Sequence, residues 1–146
     1  MRANRLNIKR VLPLWLITST AFFLPPAPHA QPLTCSTAQK PMQVAELLFG
    51  RKIGDRIGVS EAAWARFLAR EVTPRFPDGL TVINASGQWR DRERNKVVRE
   101  PSKVVQIVLP GAADDEEKLA AVIEAYKREF RQQGVGLIIR PACVRF

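Results

Sequence analysis

The chain has 146 residues, with 23 lysines and arginines against 14 aspartates and glutamates, so it is strongly basic. This length suits one domain with one modest core. The only histidine, His29, lies near the N-terminus. Its position excludes Ser-His-Asp and Cys-His catalysis, and histidine-based metal sites, from the rest of the chain. We therefore expect no metal and no cofactor.

Residues 1–30 have the layout of a signal peptide. Four basic residues precede the apolar stretch "VLPLWLITSTAFFL", and "PPAPHA" then ends in a small residue. A membrane-spanning helix needs roughly 20 apolar residues, so we expect cleavage after Ala30, no stable membrane span and a periplasmic or secreted protein. A retained anchor and a lipoprotein cut before Cys35 remain open. In that compartment a basic protein is expected to meet anionic lipid, glycan or small anions, and no nucleic acid.

The next segments alternate strand and helix patterns. Residues 31–43 are interpreted as an irregular leader, and "VAELLF" (44–49) as the first strand. Ser60 is a good N-cap for a helix, and Pro74 ends that helix. "LTVI" (80–83) is the second strand.

A charged hairpin, "QWRDRERNKVV", precedes the third strand, "KVVQIVL" (103–109). A long second helix follows, with acidic residues in its first turns and basic residues in its last, as the helix dipole favours. Gly134 and Gly136 are predicted to stop it. "LIIRPACVRF" (137–146) is the last strand, and we place it at a sheet edge because Pro141 cannot donate a ladder hydrogen bond.

This order predicts a single α+β domain over residues 44–146, a ferredoxin-like βαββαβ sandwich with an antiparallel sheet and an extra charged hairpin before the third main strand. In that topology the first and last strands pair, which brings Cys35 close to Cys143. An exported chain with two cysteines and no C-x-x-C motif is expected to carry a structural disulfide between them.

Both helices of such a sandwich cover one face of the sheet. Strand alternation directs a largely apolar set to the opposite face: Val44, Glu46, Leu48, Val104, Gln106, Val108, Ile138, Arg140, Ala142, Val144 and Phe146. An uncovered apolar face usually meets a partner, so we expect a homodimer through it. Two alternatives remain: the face forms a shallow ligand cavity, or the leader or the hairpin folds over it.

Polar and aromatic residues around the hairpin form the candidate ligand site: Arg75, Trp89, Arg90, Arg99, Glu100, Ser102 and Lys103. Arginine recognises carboxylate and phosphate groups, and a tryptophan can stack a ring or a sugar. We therefore expect a binding module for a small anionic or envelope-derived ligand. The alternatives are a histidine-independent enzyme that uses Lys103 or Glu100 for proton transfer, and a purely structural envelope protein. In the structural case, Arg75 and Arg99 would pair with Asp78 and Glu100.

Four motifs carry a family resemblance. "ELLFG", "VTPRFPDGLTV", "GQWR" and "REPSKVV", in this order behind a signal peptide, resemble the exported bacterial family numbered 3574 among domains of unknown function. The resemblance runs from about Val44 to Phe146. The insert "DRERNK" departs from the glycine-containing turn expected there. The resemblance implies an exported α+β domain and assigns no activity.

Overall fold

A computed structural model describes residues 33–91 and 94–146. Its elements in chain order are β1 (Lys40–Gly50), β2 (Lys52–Ile53), β3 (Arg56–Ile57), α1 (Glu61–Phe67) with a π-helical continuation (Leu68–Val72), β4 (Thr81–Asp91), β5 (Lys96–Leu109), α2 (Asp115–Phe130) and β6 (Gly136–Val144). The predicted signal peptide lies outside the described residues. Within those residues, no helix combines the length and apolarity needed to cross a membrane.

The main sheet has four strands in the order β4-β5-β1-β6, and every neighbouring pair is antiparallel. Alternate side chains of β1 and β5, such as Leu47 and Ile107, pack in one core with the buried faces of α1 and α2. This is the ferredoxin-like α+β arrangement, and the predicted fold class is confirmed. Strand β6 lies at an edge, where Pro141 needs no outer partner.

Strand lengths differ from the sequence-based boundaries. β1 begins at Lys40, four residues before the predicted start of the domain. The charged hairpin is the far end of one long β4–β5 pair, whose register runs from Thr81 opposite Gln106 to Asp91 opposite Lys96. Near such a tip both sheet faces meet water, so the sequence shows no apolar row by which the strand could be recognised.

The helices begin as predicted, but the second ends earlier. Ser60 caps α1, where its Oγ accepts a hydrogen bond from the backbone N–H of Ala63 at 3.1 Å. α2 ends at Phe130, because Arg131 takes a left-handed conformation with φ of 52°. Gly134 therefore lies beyond the end of the helix rather than stopping it.

An aromatic cluster fills the core between the helices and the sheet. Phe49, Phe67 and Tyr126 contact one another edge to face, with ring centroids 4.7 to 6.1 Å apart. The Tyr126 hydroxyl donates a hydrogen bond to the backbone oxygen of Gly50 at 2.8 Å. Burial raises the pKa of Tyr126, so this group remains a donor and holds the end of β1.

A disulfide joins Cys35 to Cys143, with their Cα atoms 5.5 Å apart. Cys143 lies in β6 opposite Pro41 at the start of β1. The bridge therefore attaches the segment before β1 to the last strand, as the strand order predicts.

Candidate functional site

A cavity of about 620 Å³ opens where the end of β1 meets the β4–β5 hairpin and the α2–β6 connection. This volume lies in the range of small-molecule sites. Its wall includes apolar, aromatic and charged side chains, among them Leu48, Trp89, Glu100, Ser102 and Arg131.

Glu100 is the best-defined polar group of the cavity. One carboxylate oxygen, Oε2, accepts a hydrogen bond from the backbone N–H of Lys52 at 2.8 Å. The other, Oε1, accepts from the indole Nε1 of Trp89, also at 2.8 Å. Both donors are neutral, and within the described residues Glu100 forms no ion pair. The carboxylate is thus fixed in position and keeps unused acceptor capacity.

Two glycines make room for this arrangement. A Cβ at Gly50 would lie 2.6 Å from Glu100 Oε1, and a Cβ at Gly87 would lie 2.8 Å from Ser102 Oγ. A larger residue at either position would displace the end of the Glu100 or Ser102 side chain, so the glycines permit the observed positions of these groups. Because Tyr126 holds the oxygen of Gly50, the aromatic core positions this part of the cavity.

Cationic residues stand at the rim. Lys52 and Arg131 line the cavity, and neither side chain forms an ion pair within the described ranges. The side chain of Gln132 donates from Nε2 to the backbone oxygen of Lys52 at 2.8 Å, which ties the two rim segments together. Arg94 also lines the cavity, and its guanidinium lies 3.8 Å from a carboxylate oxygen of Asp91.

The structure brings three of the seven predicted site residues into this cavity. Trp89, Glu100 and Ser102 all line it. Their positions alternate along β4 and β5, so all three belong to the sheet face opposite the helices.

The other four predicted residues lie elsewhere. Lys103 faces the helices, and its Nζ donates to Glu61 Oε2 at 2.7 Å and to Asn84 Oδ1. Arg75 binds the carboxylate and backbone oxygen of Glu71. Arg90 donates to Asn95 Oδ1 near the hairpin tip, and Arg99 lies on the strand positions of the helix side.

Arg75, Arg99 and Lys103 therefore do not converge on one pocket. Under the hypothesis of a purely structural protein, Arg75 was expected to pair with Asp78. The observed partner of Arg75 is Glu71. Lys103 is neutralised by Glu61. The carboxylate pairing of Arg75 and Lys103 favours a structural role for these two cations.

Sequence reasoning missed Gly50, Lys52, Gly87 and Arg131. Gly50 at the end of β1 and Lys52 at the start of β2 are close in sequence, and only the strand register and the end of α2 bring Gly87 and Arg131 close to them. Glycine inside a strand is the one available signal, because it marks places where another group approaches the backbone closely.

Solved structures with the same fold include a phage SAM lyase. Its complex with S-methyl-5′-thioadenosine is 16% identical to this chain, with a TM-score of 0.57, and the match covers 80% of this chain and 97% of the lyase chain. The apo form is 13% identical, with a TM-score of 0.53 and the same coverage. CutA from Synechococcus elongatus is 9% identical, with a TM-score of 0.46, over 73% of this chain and 80% of CutA. At these identities the two lyase structures show that the fold is shared and nothing beyond the fold.

No curated protein matches the chain in sequence. The sequence profile described as "Protein of unknown function (DUF3574)" matches residues 44–146. The match includes every strand of the sheet at least in part, both helices and all the cavity residues named above. The chain therefore belongs to the DUF3574 family of proteins of unknown function.

Proposed function

We propose that the protein is a binding module that holds a small molecule through an ammonium group placed at the Glu100 carboxylate. The observation that carries this proposal is a half-buried carboxylate in a cavity, held by two neutral donors and without a counter-ion among the described residues. An ammonium group would supply both the missing charge and charge-assisted hydrogen bonds. The sequence led us to expect a small anionic or envelope-derived ligand, and the proposed ligand differs from the anionic form of that expectation because it carries an ammonium group.

Trp89 supports a ligand whose amine is attached to a ring. The residue is 42% exposed, and its indole N–H donates a hydrogen bond to Glu100. The ring face beside the carboxylate can stack a sugar or aromatic ring and can attract a cation. The phage lyase of the same fold was solved with a ring-bearing nucleoside, which supports a small-molecule role for the scaffold and supplies a neutral probe.

Isothermal titration calorimetry tests the proposal with three amines on different frameworks: glucosamine, tyramine and putrescine. Glucose and S-methyl-5′-thioadenosine are the neutral comparisons. We expect at least one amine to bind about tenfold more tightly than the neutral compounds, and Glu100→Gln to abolish this preference. Glu46→Gln is the matched control, because Glu46 already binds Arg140 and Gln106. Failure of all three amines to bind, or an unchanged preference in Glu100→Gln, contradicts the proposal.

Catalysis by Glu100 is the second candidate function, since a general acid or base must be able to reach a bound ligand. Of the two proton carriers considered from the sequence, only Glu100 lines the cavity, whereas Lys103 is engaged by Glu61 and Asn84. Incubation of each bound amine with the protein, followed by proton NMR, separates the two functions. A product that requires Glu100 favours the enzyme, and an unchanged ligand favours the binding module.

We also propose a homodimer through the apolar part of the sheet face opposite the helices, which adjoins the cavity at Leu48. Ile83, Val104 and Leu48 lie in register across three strands, and Ile83 and Leu48 are 47% and 38% exposed. A second copy offers the same apolar row, so two copies bury both rows at once. Light scattering should show a dimer for the wild type and a folded monomer for Val104→Glu. A wild-type monomer at high concentration contradicts the dimer.

We further propose that the protein is exported. The basic and apolar layout of residues 1–30 supports this, and so does the Cys35–Cys143 disulfide, which is typical of oxidising compartments. Cell fractionation should recover the protein outside the cytoplasm and shortened at its N-terminus. Full-length protein in the cytoplasmic fraction contradicts export.

A further inference from the structure

The cavity has a second recognition element besides Glu100. Lys52 and Arg131 line it from the rim, and within the described residues neither side chain is neutralised by a carboxylate. Arg94 and Asp91 also line the cavity and form an ion pair with each other, which leaves one negative charge on Glu100 and two positive charges on Lys52 and Arg131. The charge pattern of the cavity therefore complements a molecule that carries both signs.

We propose that the ligand is zwitterionic, with an ammonium group at Glu100 and a phosphate or carboxylate group at Arg131 and Lys52. This inference rests on the proposed function and extends it from one charged group to two. Arginine and lysine are the side chains that bind such anions, arginine through two parallel hydrogen bonds and lysine as a point charge. The cations that the sequence indicated for an anion, Lys103 and Arg75, are occupied by carboxylates elsewhere.

The backbone of Arg131 supports a role for its side chain. Its φ of 52° lies in the left-handed region, where glycine is the usual residue at a helix end. A non-glycine residue in this conformation is strained, and such strain is frequent at ligand sites. Glycine at this position would relieve the strain but would delete the guanidinium from the cavity.

Ring size and charge together define the ligand class. A cavity of about 620 Å³ accommodates a phosphorylated monosaccharide, and Trp89 offers an exposed ring face for stacking. A phosphorylated amino sugar combines the ring, the ammonium group and the anion, so glucosamine 6-phosphate is the probe of choice. Glucosamine lacks the phosphate and glucose 6-phosphate lacks the amine, and these two compounds separate the contributions.

Calorimetric titration of the full chain with these three compounds tests the inference. We expect glucosamine 6-phosphate to bind the wild type about tenfold more tightly than glucosamine. Arg131→Gly should reduce its affinity to that of glucosamine, leave glucosamine binding unchanged and raise the melting temperature. Arg128→Gln removes the same charge from an exposed position near the end of α2 and should change neither affinity.

The outcomes distinguish the two proposals. If Arg131→Gly binds glucosamine 6-phosphate as tightly as the wild type, or if the wild type gains nothing from the phosphate, the zwitterion inference is overturned alone. If Glu100→Gln retains the preference for glucosamine 6-phosphate over glucose 6-phosphate, the ammonium site is overturned. Wild-type protein that binds none of the three compounds contradicts both. A lower melting temperature for Arg131→Gly together with unchanged binding would assign Arg131 a structural role only.

Discussion

At the scale of single residues, one exposed carboxylate neutralises two buried cations. The side chains of Arg51 and Lys103 are 9% and 6% exposed, whereas that of Glu61 is 68% exposed. Each oxygen of Glu61 accepts from one of them. Loss of Glu61 would leave two charges in a poorly solvated position, while loss of Lys103 would leave partners that water can reach.

Because of this difference in exposure, we expect the unfolding free energy to respond differently to loss of Lys103 and to loss of Glu61. Lys103→Met should change the free energy of unfolding by less than about 1 kcal/mol, because Glu61 and Asn84 are exposed. Glu61→Ala should lower it clearly, and Lys103→Met in the Glu61→Ala background should recover part of the loss. Urea denaturation measures all four proteins, and Glu117→Ala is the control for an exposed glutamate. A marked loss of stability in Lys103→Met alone contradicts this account.

The Glu61 carboxylate should also make the unfolding free energy depend on pH. The hydrogen bond from Lys103, followed by that from Arg51, holds the pKa of Glu61 below its ordinary value of 4.5. Because the folded pKa is lower than the unfolded one, this stabilisation is present above the unfolded pKa and is lost as the pH falls through the folded pKa. Between about pH 6 and pH 3, the unfolding free energy should fall further for the wild type than for Glu61→Gln. Identical acid dependence of both proteins would show that Glu61 contributes nothing to it.

At the scale of elements, the cavity is built where strands and a helix end. Gly50 comes from the end of β1, Trp89 and Glu100 come from the β4–β5 pair, and Arg131 follows the last residue of α2. Hydrogen bonds from Tyr126 to Gly50 and from Gln132 to Lys52 connect α2 and the segment after it to β1 and β2. The cavity therefore depends on how these elements pack.

Gly50→Ala tests the fit between β1 and β5. The new Cβ would lie 2.6 Å from Glu100 Oε1, so the carboxylate must leave its two donors or the strands must shift. We expect a loss of about 1–3 kcal/mol in unfolding free energy, measured by denaturant titration. Gly134→Ala is the matched control, since a Cβ there meets no atom within 4 Å. Equal stability of the two variants contradicts the close packing of Gly50 on Glu100.

Sequence patterns predicted these elements unevenly. Strand alternation identified the buried row of β1 and β5, and Ser60 marked the start of α1, because local physical rules decide both. The predicted end of α2, at Gly134, was too late. Arg131 ends the helix in a left-handed conformation, in which glycine is the residue that a sequence pattern would lead us to expect. The length of the β4–β5 hairpin was also hidden, because its tip has no buried side to produce an apolar row.

At the scale of the whole molecule, the disulfide links residues that are 108 positions apart. In the chain-entropy model such a bridge stabilises the fold by about 5 kcal/mol, because it restricts the unfolded chain. Reductant should therefore lower the melting temperature of the wild type and leave that of a Cys35→Ser, Cys143→Ser double variant unchanged. Alkylation without reductant followed by intact mass measurement checks the starting state. Two free thiols in freshly isolated protein contradict the bridge.

The fold was more predictable than the candidate site. The order of strands and helices follows from periodicity, and the cysteine positions agree with it. The site joins residues from segments as far apart as Gly50, Gly87 and Arg131, so it depends on sheet register and helix length. Charged residues close together in sequence, Arg99, Glu100 and Lys103, instead separate to opposite faces of β5. Clusters of charged residues in the sequence therefore did not predict which residues line the cavity.

The central claim is that the Glu100 carboxylate binds an ammonium group beside Trp89. The indole N–H of Trp89 donates to Glu100 Oε1, so its nitrogen-15 NMR signal reports directly on that carboxylate. Trp64 is 3% exposed in the core and serves as an internal reference. Titration with glucosamine 6-phosphate should shift the Trp89 indole signal and leave that of Trp64 in place, whereas in Glu100→Gln it should shift the Trp89 signal no more than glucose 6-phosphate does. A Trp89 signal that stays in place at saturating ligand, or that moves equally with glucose 6-phosphate, contradicts the claim.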